Sequence, residues 1–297
     1  MNKVTIMTPA TTANIGPGFD TLGCALAIYN KLTFEKTDHD LKITGCPTKY
    51  QNEENLAYQA YLLVFKHLNK SPGGLNLTIN ANIPTERGLG SSAAMIVAGA
   101  LGANALLGDP LNNQELLELC LKLESHPDNI VPCLYGGLNA SFIQNSKIYS
   151  IKYNISDKLK LCAFIPNFTT NTQQARTLLP KEVTLQDSVF NLSHLAVLLK
   201  ALETNDQELI SKALDDKLHQ PYRYQLINQY EQLKTLALQH GAYGFFISGS
   251  GPTCIAIYED AYFCEIMRNE LDSFSDSWQI IDMKIDYKGS RKVTDHG

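Results

Sequence analysis

Paired cysteines are missing from this chain of 297 residues. Its seven cysteines, at 24, 46, 120, 133, 162, 254 and 264, are odd in number and scattered, with no C-x-x-C pair. That excludes a disulfide framework and a zinc ribbon, and it suits reduced thiols in a cytoplasm. Basic charge is also scarce: 25 Lys and Arg against 30 Asp and Glu leave a net charge of −5. A nucleic-acid binder usually presents a basic face, so no nucleic-acid partner is expected. No apolar run reaches membrane-spanning length, and residues from Met1 to Pro9 run straight into a strand pattern without a secretory leader. No membrane partner is expected, and the expected location is cytoplasmic. Repeats, low-complexity tracts and long linkers are absent too. What is there, 44% hydrophobic and 19% charged residues, is the composition of a soluble globular chain with room for one large or two ordinary domains.

A P-loop is lacking as well, because no G-x-x-x-x-G-K-[ST] occurs. In its place stands Pro84-Thr85-Glu86-Arg87-Gly88-Leu89-Gly90-Ser91-Ser92-Ala93-Ala94, leading into a run of small and apolar residues up to Leu101. Glycines let the backbone take positive φ and let an anion approach where a Cβ would stand. The free N–H groups and dipole of the following helix favour negative charge, and Ser91 and Ser92 add hydroxyls for a phosphate oxygen or a metal ion. Taken alone, the stretch reads equally well as a Gly-Ser turn capping a buried helix.

Residues 3–8 and 24–35 read as strands around a Gly/Pro-rich bend at 14–20. Residues 55–69 read as a helix, with Leu56, Leu63, Val64 and Leu68 near helical spacing. A strand at 75–79 precedes the glycine loop, and helices follow at about 91–107 and 113–124, the second capped by Asn112 or Asn113. Strand character resumes at 138–143, and the polar stretch 146–156 reads as the seam between two halves. The second half offers a strand at 159–165 and helices near 187–203, 206–214 and 225–240. It continues with a strand at 243–247, a Gly-Ser-Gly-Pro turn, a strand at 254–258, a helix near 260–273 and a strand at 278–287. The tail from Gly289 reads as loosely held. Strands and helices mix without regular βαβ alternation, which predicts an α+β fold in two domains, residues 1–155 and 156–297.

Three more clusters accompany the glycine loop. One is Pro9-Ala10-Thr11-Thr12-Ala13-Asn14-Ile15-Gly16-Pro17-Gly18-Phe19-Asp20. Another is Glu124-Ser125-His126-Pro127-Asp128-Asn129, followed by Pro132-Cys133-Leu134-Tyr135-Gly136-Gly137. The last is Ser248-Gly249-Ser250-Gly251-Pro252-Thr253. Their order and spacing resemble those of the GHMP kinases, small-molecule kinases named for galactose, homoserine, mevalonate and phosphomevalonate, over essentially the whole chain. The P-A-T-T-A-N-I-G-P-G-F-D and H-P-D-N elements and the Thr172…Arg176 pair resemble in particular the branch acting on homoserine.

The resemblance implies an N-terminal domain like ribosomal protein S5 domain 2 and a ferredoxin-like C-terminal domain. It implies transfer of phosphate from ATP to L-homoserine, giving O-phospho-L-homoserine on the route to threonine, with Mg²⁺ as cofactor. Residues 84–94 would hold the ATP phosphates, Asn55 would lie beside the purine, and Ser92 with Glu124 would hold the metal. Only Ser125 separates Glu124 from His126, whereas some members have several more residues there. Asn14, Asp20, His126, Asn129, Thr172, Arg176 and Arg223 fall at substrate positions. Homoserine is a zwitterion, so its site needs an anion for the ammonium, which Asp20 supplies, and guanidinium for the carboxylate, which Arg176 and Arg223 supply. For the reaction itself, Asn129 would hydrogen-bond the reacting hydroxyl, Arg176 would hold the carboxylate, and Asp128 is the carboxylate nearest to a base position. No strong base is expected; the proton passes to phosphate.

Blander readings accompany each residue. Either arginine alone reads as a surface charge, His126 as a loop histidine, Asn14 and Asp20 as turn formers, and Glu124 as a solvated acid. Other functions weighed are phosphorylation of a different alcohol, such as mevalonate or a sugar, and a metabolite sensor on the same fold without turnover. A homodimer is the expectation from the frequency of oligomers among such enzymes.

Overall fold

The computed structural model describes residues 1–293. Strands β1 (Lys3–Ala13) and β2 (Leu22–Thr37) form the spine of a seven-stranded sheet. They pair antiparallel, with the register shifting between Pro9 and Ala10, where proline has no N–H to give the ladder. Strands β3 (Lys42–Thr44) and β4 (Gly74–Asn80) extend the sheet beyond β2. Helix α1 (Leu56–His67) begins at Asn55, whose side chain accepts the N–H groups of Ala57 and Tyr58.

Helix α2 (Ser91–Leu106) is buried over most of its length, and its small residues explain how. A Cβ on Gly99 would strike the Ala57 carbonyl, and one on Gly102 would strike the Phe34 ring, so α2 lies tightly between α1 and the sheet. Helix α3 (Asn113–Cys120) starts with a capping box between Asn112 and Glu115, which decides for Asn112 as the cap. It stops at Cys120, short of the expected 124, so Glu124 sits in the turn beyond it.

Helix α4 (Pro127–Tyr135) is not in the sequence expectation. Proline at its first position and Pro132 inside it conceal a helix whose buried face carries Ile130, Val131, Cys133 and Leu134. Strands β5 (Leu138–Gln144) and β6 (Lys147–Tyr153) form a hairpin through Asn145 and Ser146, both at positive φ. The polar stretch 146–156 is therefore largely a strand with an exposed face.

The second sheet has strands β7 (Lys160–Pro166), β8 (Gly244–Ile247), β9 (Cys254–Tyr258) and β10 (Trp278–Met283) in spatial order β10-β7-β9-β8, all antiparallel. Between β7 and β8 run α5 (Thr172–Thr177), α6 (Leu185–Thr204), α7 (Gln207–Ala213), α8 (Gln220–Arg223) and α9 (Tyr230–Gln239); α10 (Phe263–Glu270) joins β9 to β10. A β-α-β-β-α-β order with that strand sequence is the ferredoxin-like arrangement the resemblance implied. The helix expected over 225–240 starts later, as α9, after a 3-10 turn at Tyr224–Leu226 and Gln229 at φ 57.

The tail beyond Gly289 is not loose up to Val293. Strand β11 (Arg291–Val293) pairs with Thr5–Met7 of β1, returning the chain to the first sheet. Asp286 fastens this return by accepting the N–H groups of Lys288 and Gly289, the Tyr29 hydroxyl and Arg291. No helix among the described residues is long and apolar enough to cross a membrane.

Candidate active site

Where the two sheets' loops face each other, a cleft opens, lined by Gly88–Ala93, Asn14, Asp20 and residues of α4, α5 and α8. Its floor is the glycine loop. Gly88 and Gly90 hold φ +73 and +66, and added Cβ atoms would strike the Ser248 carbonyl and the Thr11 hydroxyl respectively. The carbonyls of Glu86 to Leu89 are turned into protein. Glu86 accepts from the Thr170 N–H, Arg87 from that of Thr253, Leu89 from that of Thr11, and Gly88 from the Ser248 hydroxyl at 2.6 Å. The N–H groups of Gly88 to Ala93 find no backbone acceptor among the described residues and stand at the N-terminus of α2, an arrangement suited to an anion.

Arg87 does not reach into the cleft with its charge. Its guanidinium donates to the carbonyls of Pro166 and Asn167 at 2.9 Å each, tying the loop to the second sheet. Of the residues expected to hold phosphate, Pro84 and Glu86 to Ala93 line the cleft, whereas Thr85 and the fully buried Ala94 do not. Asn55 lies away from the lining as well, and its amide is committed to the α1 cap and the Tyr50 carbonyl.

The opposite wall is charged. Asn14, buried at φ 71, donates to the Gly249 carbonyl and accepts the Asp20 N–H, fixing the bend. Asp20 then meets Arg176 of α5 through two hydrogen bonds, 2.7 and 3.2 Å. His126 stands 3.9 Å from Asp20 and 3.1 Å from Glu124. The Glu124 hydrogen bond, helped by Asp20, raises the imidazole above its ordinary value, so it favours the cation.

Asp128 and Asn129 fall in the first turn of α4. Asp128 is 3% exposed, and burial followed by the Asp20 charge pushes its carboxyl up to about 7. Asn129 accepts the Thr11 hydroxyl at 2.7 Å and donates to Asp128, so its amide orientation is fixed. Thr172 meets the Ser250 hydroxyl across the cleft at 3.2 Å.

Arg223 is 2% exposed, unusual for a guanidinium. It donates to the Gly249 carbonyl at 3.0 Å and to His219 at 3.4 Å, while its Nε has no partner among the described residues. Burial, then the Arg176 charge, lowers it to about 10, still cationic at neutral pH. Both arginines lie over the ring of Phe19, at 5.6 and 5.3 Å.

Every expected substrate residue thus reaches one cleft. Sequence reasoning did not assign roles to Phe19, His219 and Asp216; the only available signal was their place beside Asp20 and Arg223 in the chain. Gly249 and Ser250, from the last of the sequence clusters, line the cleft as well. Glu124 and Ser92 share the cleft, and no cluster of three or more His, Cys, Asp or Glu suited to a metal occurs among the described residues. One carboxylate and one hydroxyl still fit Mg²⁺, which takes most of its shell from phosphates and water.

The family model for the GHMP kinases N terminal domain matches residues 55–137, and that for the GHMP kinases C terminal matches residues 198–263. A homoserine kinase from Clostridium botulinum (strain Langeland) is 41% identical over 289 residues, 97% of each chain. One from Crocosphaera subtropica is 44% identical over 266 residues, 86% of each. The crystal structure of homoserine kinase from Cytophaga hutchinsonii superposes with a TM-score of 0.88 at 27% identity, covering 99% of this chain and 98% of that one. The L. major mevalonate kinase complex, at 15% identity and TM-score 0.71, shares the fold. With its own motifs gathered in one cleft and these matches end to end, the chain belongs to the GHMP kinases, in the homoserine kinase family.

Proposed function

We propose that this protein transfers the γ-phosphoryl group of ATP to the side-chain hydroxyl of L-homoserine, forming O-phospho-L-homoserine and ADP on the route to threonine. One observation carries the reading: an anion-binding loop with its N–H groups free faces an acid and two guanidiniums across a single cleft. Phosphoryl transfer asks mainly for positioning and charge neutralisation. The backbone N–H groups of Gly88 to Ser92 hold phosphate oxygens. Asp20 takes the ammonium of the amino acid, Arg176 and Arg223 its carboxylate, and His126 and Thr172 close the polar wall around it. Asn129, held by Thr11, hydrogen-bonds the reacting hydroxyl. Ser92 and Glu124 would hold Mg²⁺, which when bound neutralises charge on the phosphates.

No strong base is required of the protein. The hydroxyl proton passes to the transferred phosphate, and Asp128, whose carboxyl is pushed up to about 7 and is therefore only about half ionised at neutral pH, is not assigned the role of base. We assign the enzyme to the cytoplasm, in keeping with its unpaired thiols, and expect a homodimer. A coupled ADP-release assay against homoserine, mevalonate and galactose, with and without Mg²⁺, tests the reading. Turnover with homoserine alone is expected, and its absence with homoserine present overturns the substrate assignment.

A further inference from the structure

Behind the cleft lies a buried polar chain that takes no part in the chemistry above. Asn191 of α6 donates to Asp216 at 2.7 Å, and Asp216 accepts the N–H groups of Leu218, His219 and Gln220. The carboxylate therefore fixes the backbone that presents His219, and the His219 and Asp216 side chains are both 0% exposed. The imidazole is clamped on three sides. Nε2 lies 2.9 Å from the Gly16 carbonyl, Nδ1 lies 3.4 Å from Nη1 of Arg223, and the ring stacks on Phe19 at 5.3 Å.

These partners fix the tautomer. A carbonyl only accepts and a guanidinium only donates, so Nε2 carries the hydrogen and Nδ1 offers its lone pair to Arg223. Burial holds the imidazole below its ordinary value against the opposing pull of the Asp216 carboxylate, 3.5 Å from Nε2, and the Arg223 guanidinium adds to the lowering, which keeps that lone pair available. Apart from the Phe19 ring beneath it, Arg223 has only one other hydrogen-bond partner among the described residues, the Gly249 carbonyl, so the direction of its remaining donors depends on His219.

We propose that His219 is a positioning residue for the substrate carboxylate: its neutral Nδ1 holds the Arg223 guanidinium at the angle from which the remaining N–H donors face the cleft. This rests on the homoserine reading given above. Nε2–H, through Gly16, ties the same ring to the bend that carries Asp20, so one imidazole sets both charged ends of the site.

Two substitutions separate the two ring nitrogens. His219→Asn keeps an acceptor near Nδ1 and loses the reach to Gly16. His219→Gln keeps a donor near Nε2 and loses the acceptor for Arg223. The expected result is a homoserine KM raised roughly ten- to a hundredfold by His219→Gln, the scale of one hydrogen bond to a charged group. His219→Asn should raise it by only about a third of that range on a logarithmic scale, with kcat and the ATP KM nearly unchanged in both. A merely structural histidine would instead shift melting temperature and both KM values together. Equal or reversed effects of the two variants on homoserine KM overturn the proposal. Imidazole ¹⁵N NMR of the wild-type protein needs no variant to fold: an unprotonated Nδ1 at neutral pH supports the role, and an Nδ1–H tautomer or an imidazolium overturns it. Wild-type turnover of homoserine in the same assay keeps the two failures apart, since its absence defeats the functional reading rather than the role of His219.

Discussion

Asp20 and Arg176, 156 residues apart in sequence, hold each other through two hydrogen bonds of 2.7 and 3.2 Å. On the proposed roles, a zwitterion replaces this pair without leaving either charge alone, because its ammonium takes the place of Arg176 and its carboxylate that of Asp20. A ligand with a single charge opens the pair and leaves one member uncompensated. Two truncated alcohols should therefore both be poor substrates: 4-hydroxybutanoate, which lacks the ammonium, and 3-aminopropan-1-ol, which lacks the carboxylate. Each is expected to lose about a hundredfold or more in kcat/KM, the scale of one or two charge-assisted hydrogen bonds. Arg176→Ala should fall in the same range with homoserine. Steady-state kinetics decide this, and a single-charge analogue turning over within about tenfold of homoserine would sink the exchange.

Asp128 is the group on which catalysis and stability make separate demands. If no base is needed, Asp128→Asn keeps kcat within about tenfold of wild type; a fall to the level of a dead enzyme overturns that. Its carboxyl rises from 3.8 to about 7 on folding, so between those values the native state keeps a proton the unfolded chain has released. Stability therefore falls as pH rises through this window, by up to about 1.4 kcal/mol per pH unit from this one group. Asp128→Asn removes the slope, so its stability relative to wild type should grow from acid to neutral pH. Denaturant melts at both ends of the window measure it, and a constant difference would show that Asp128 titrates normally.

Much of this site was readable because short motifs carry their own geometry. Gly88, Gly90, Asn14 and Asp20 all sit at positive φ, and Gly-rich or Asn/Asp-containing bends announce such positions. Helix α4 was hidden by Pro127 and Pro132, since proline normally argues against helix, although the first helical position tolerates it. The return of residues 291–293 to the first sheet was invisible for another reason. Its determinants are Tyr29, Asp286 and Arg291, and the pairing spans nearly the whole chain, whereas local pattern reports only local structure. Asn55 shows a different limit: a good N-cap residue looks the same whether or not a ligand lies beyond it.

The glycine loop separates backbone strain from steric collision. Gly90 at φ +66 abuts the Thr11 hydroxyl that orients Asn129, whereas Gly73 at φ +67 has nothing within 4 Å of an added Cβ. Both alanine substitutions should cost about 1 kcal/mol or more in stability through the left-handed backbone. Only Gly90→Ala should also displace Thr11 and the loop, raising the ATP KM and lowering kcat/KM by about a hundredfold. Equal kinetics in the two variants would remove the loop from phosphate binding.

The thiols report on the rest of the molecule. Six of the seven cysteines are buried and only Cys46 is partly exposed. Burial pushes Cys24, Cys120 and Cys133 up to about 12, so these thiols are both inaccessible and protonated, and a thiol reagent needs the thiolate. Titration of the native protein should therefore show one reactive thiol, lost in Cys46→Ser. The other six react only at the rate at which the structure opens. Cys162 and Cys264, with sulfurs 2.9 Å apart in the second core, should be among the slowest, because exposing them requires α10 to lift from β7. A second fast thiol surviving in Cys46→Ser would mean that one of these cores opens far more readily than its packing implies.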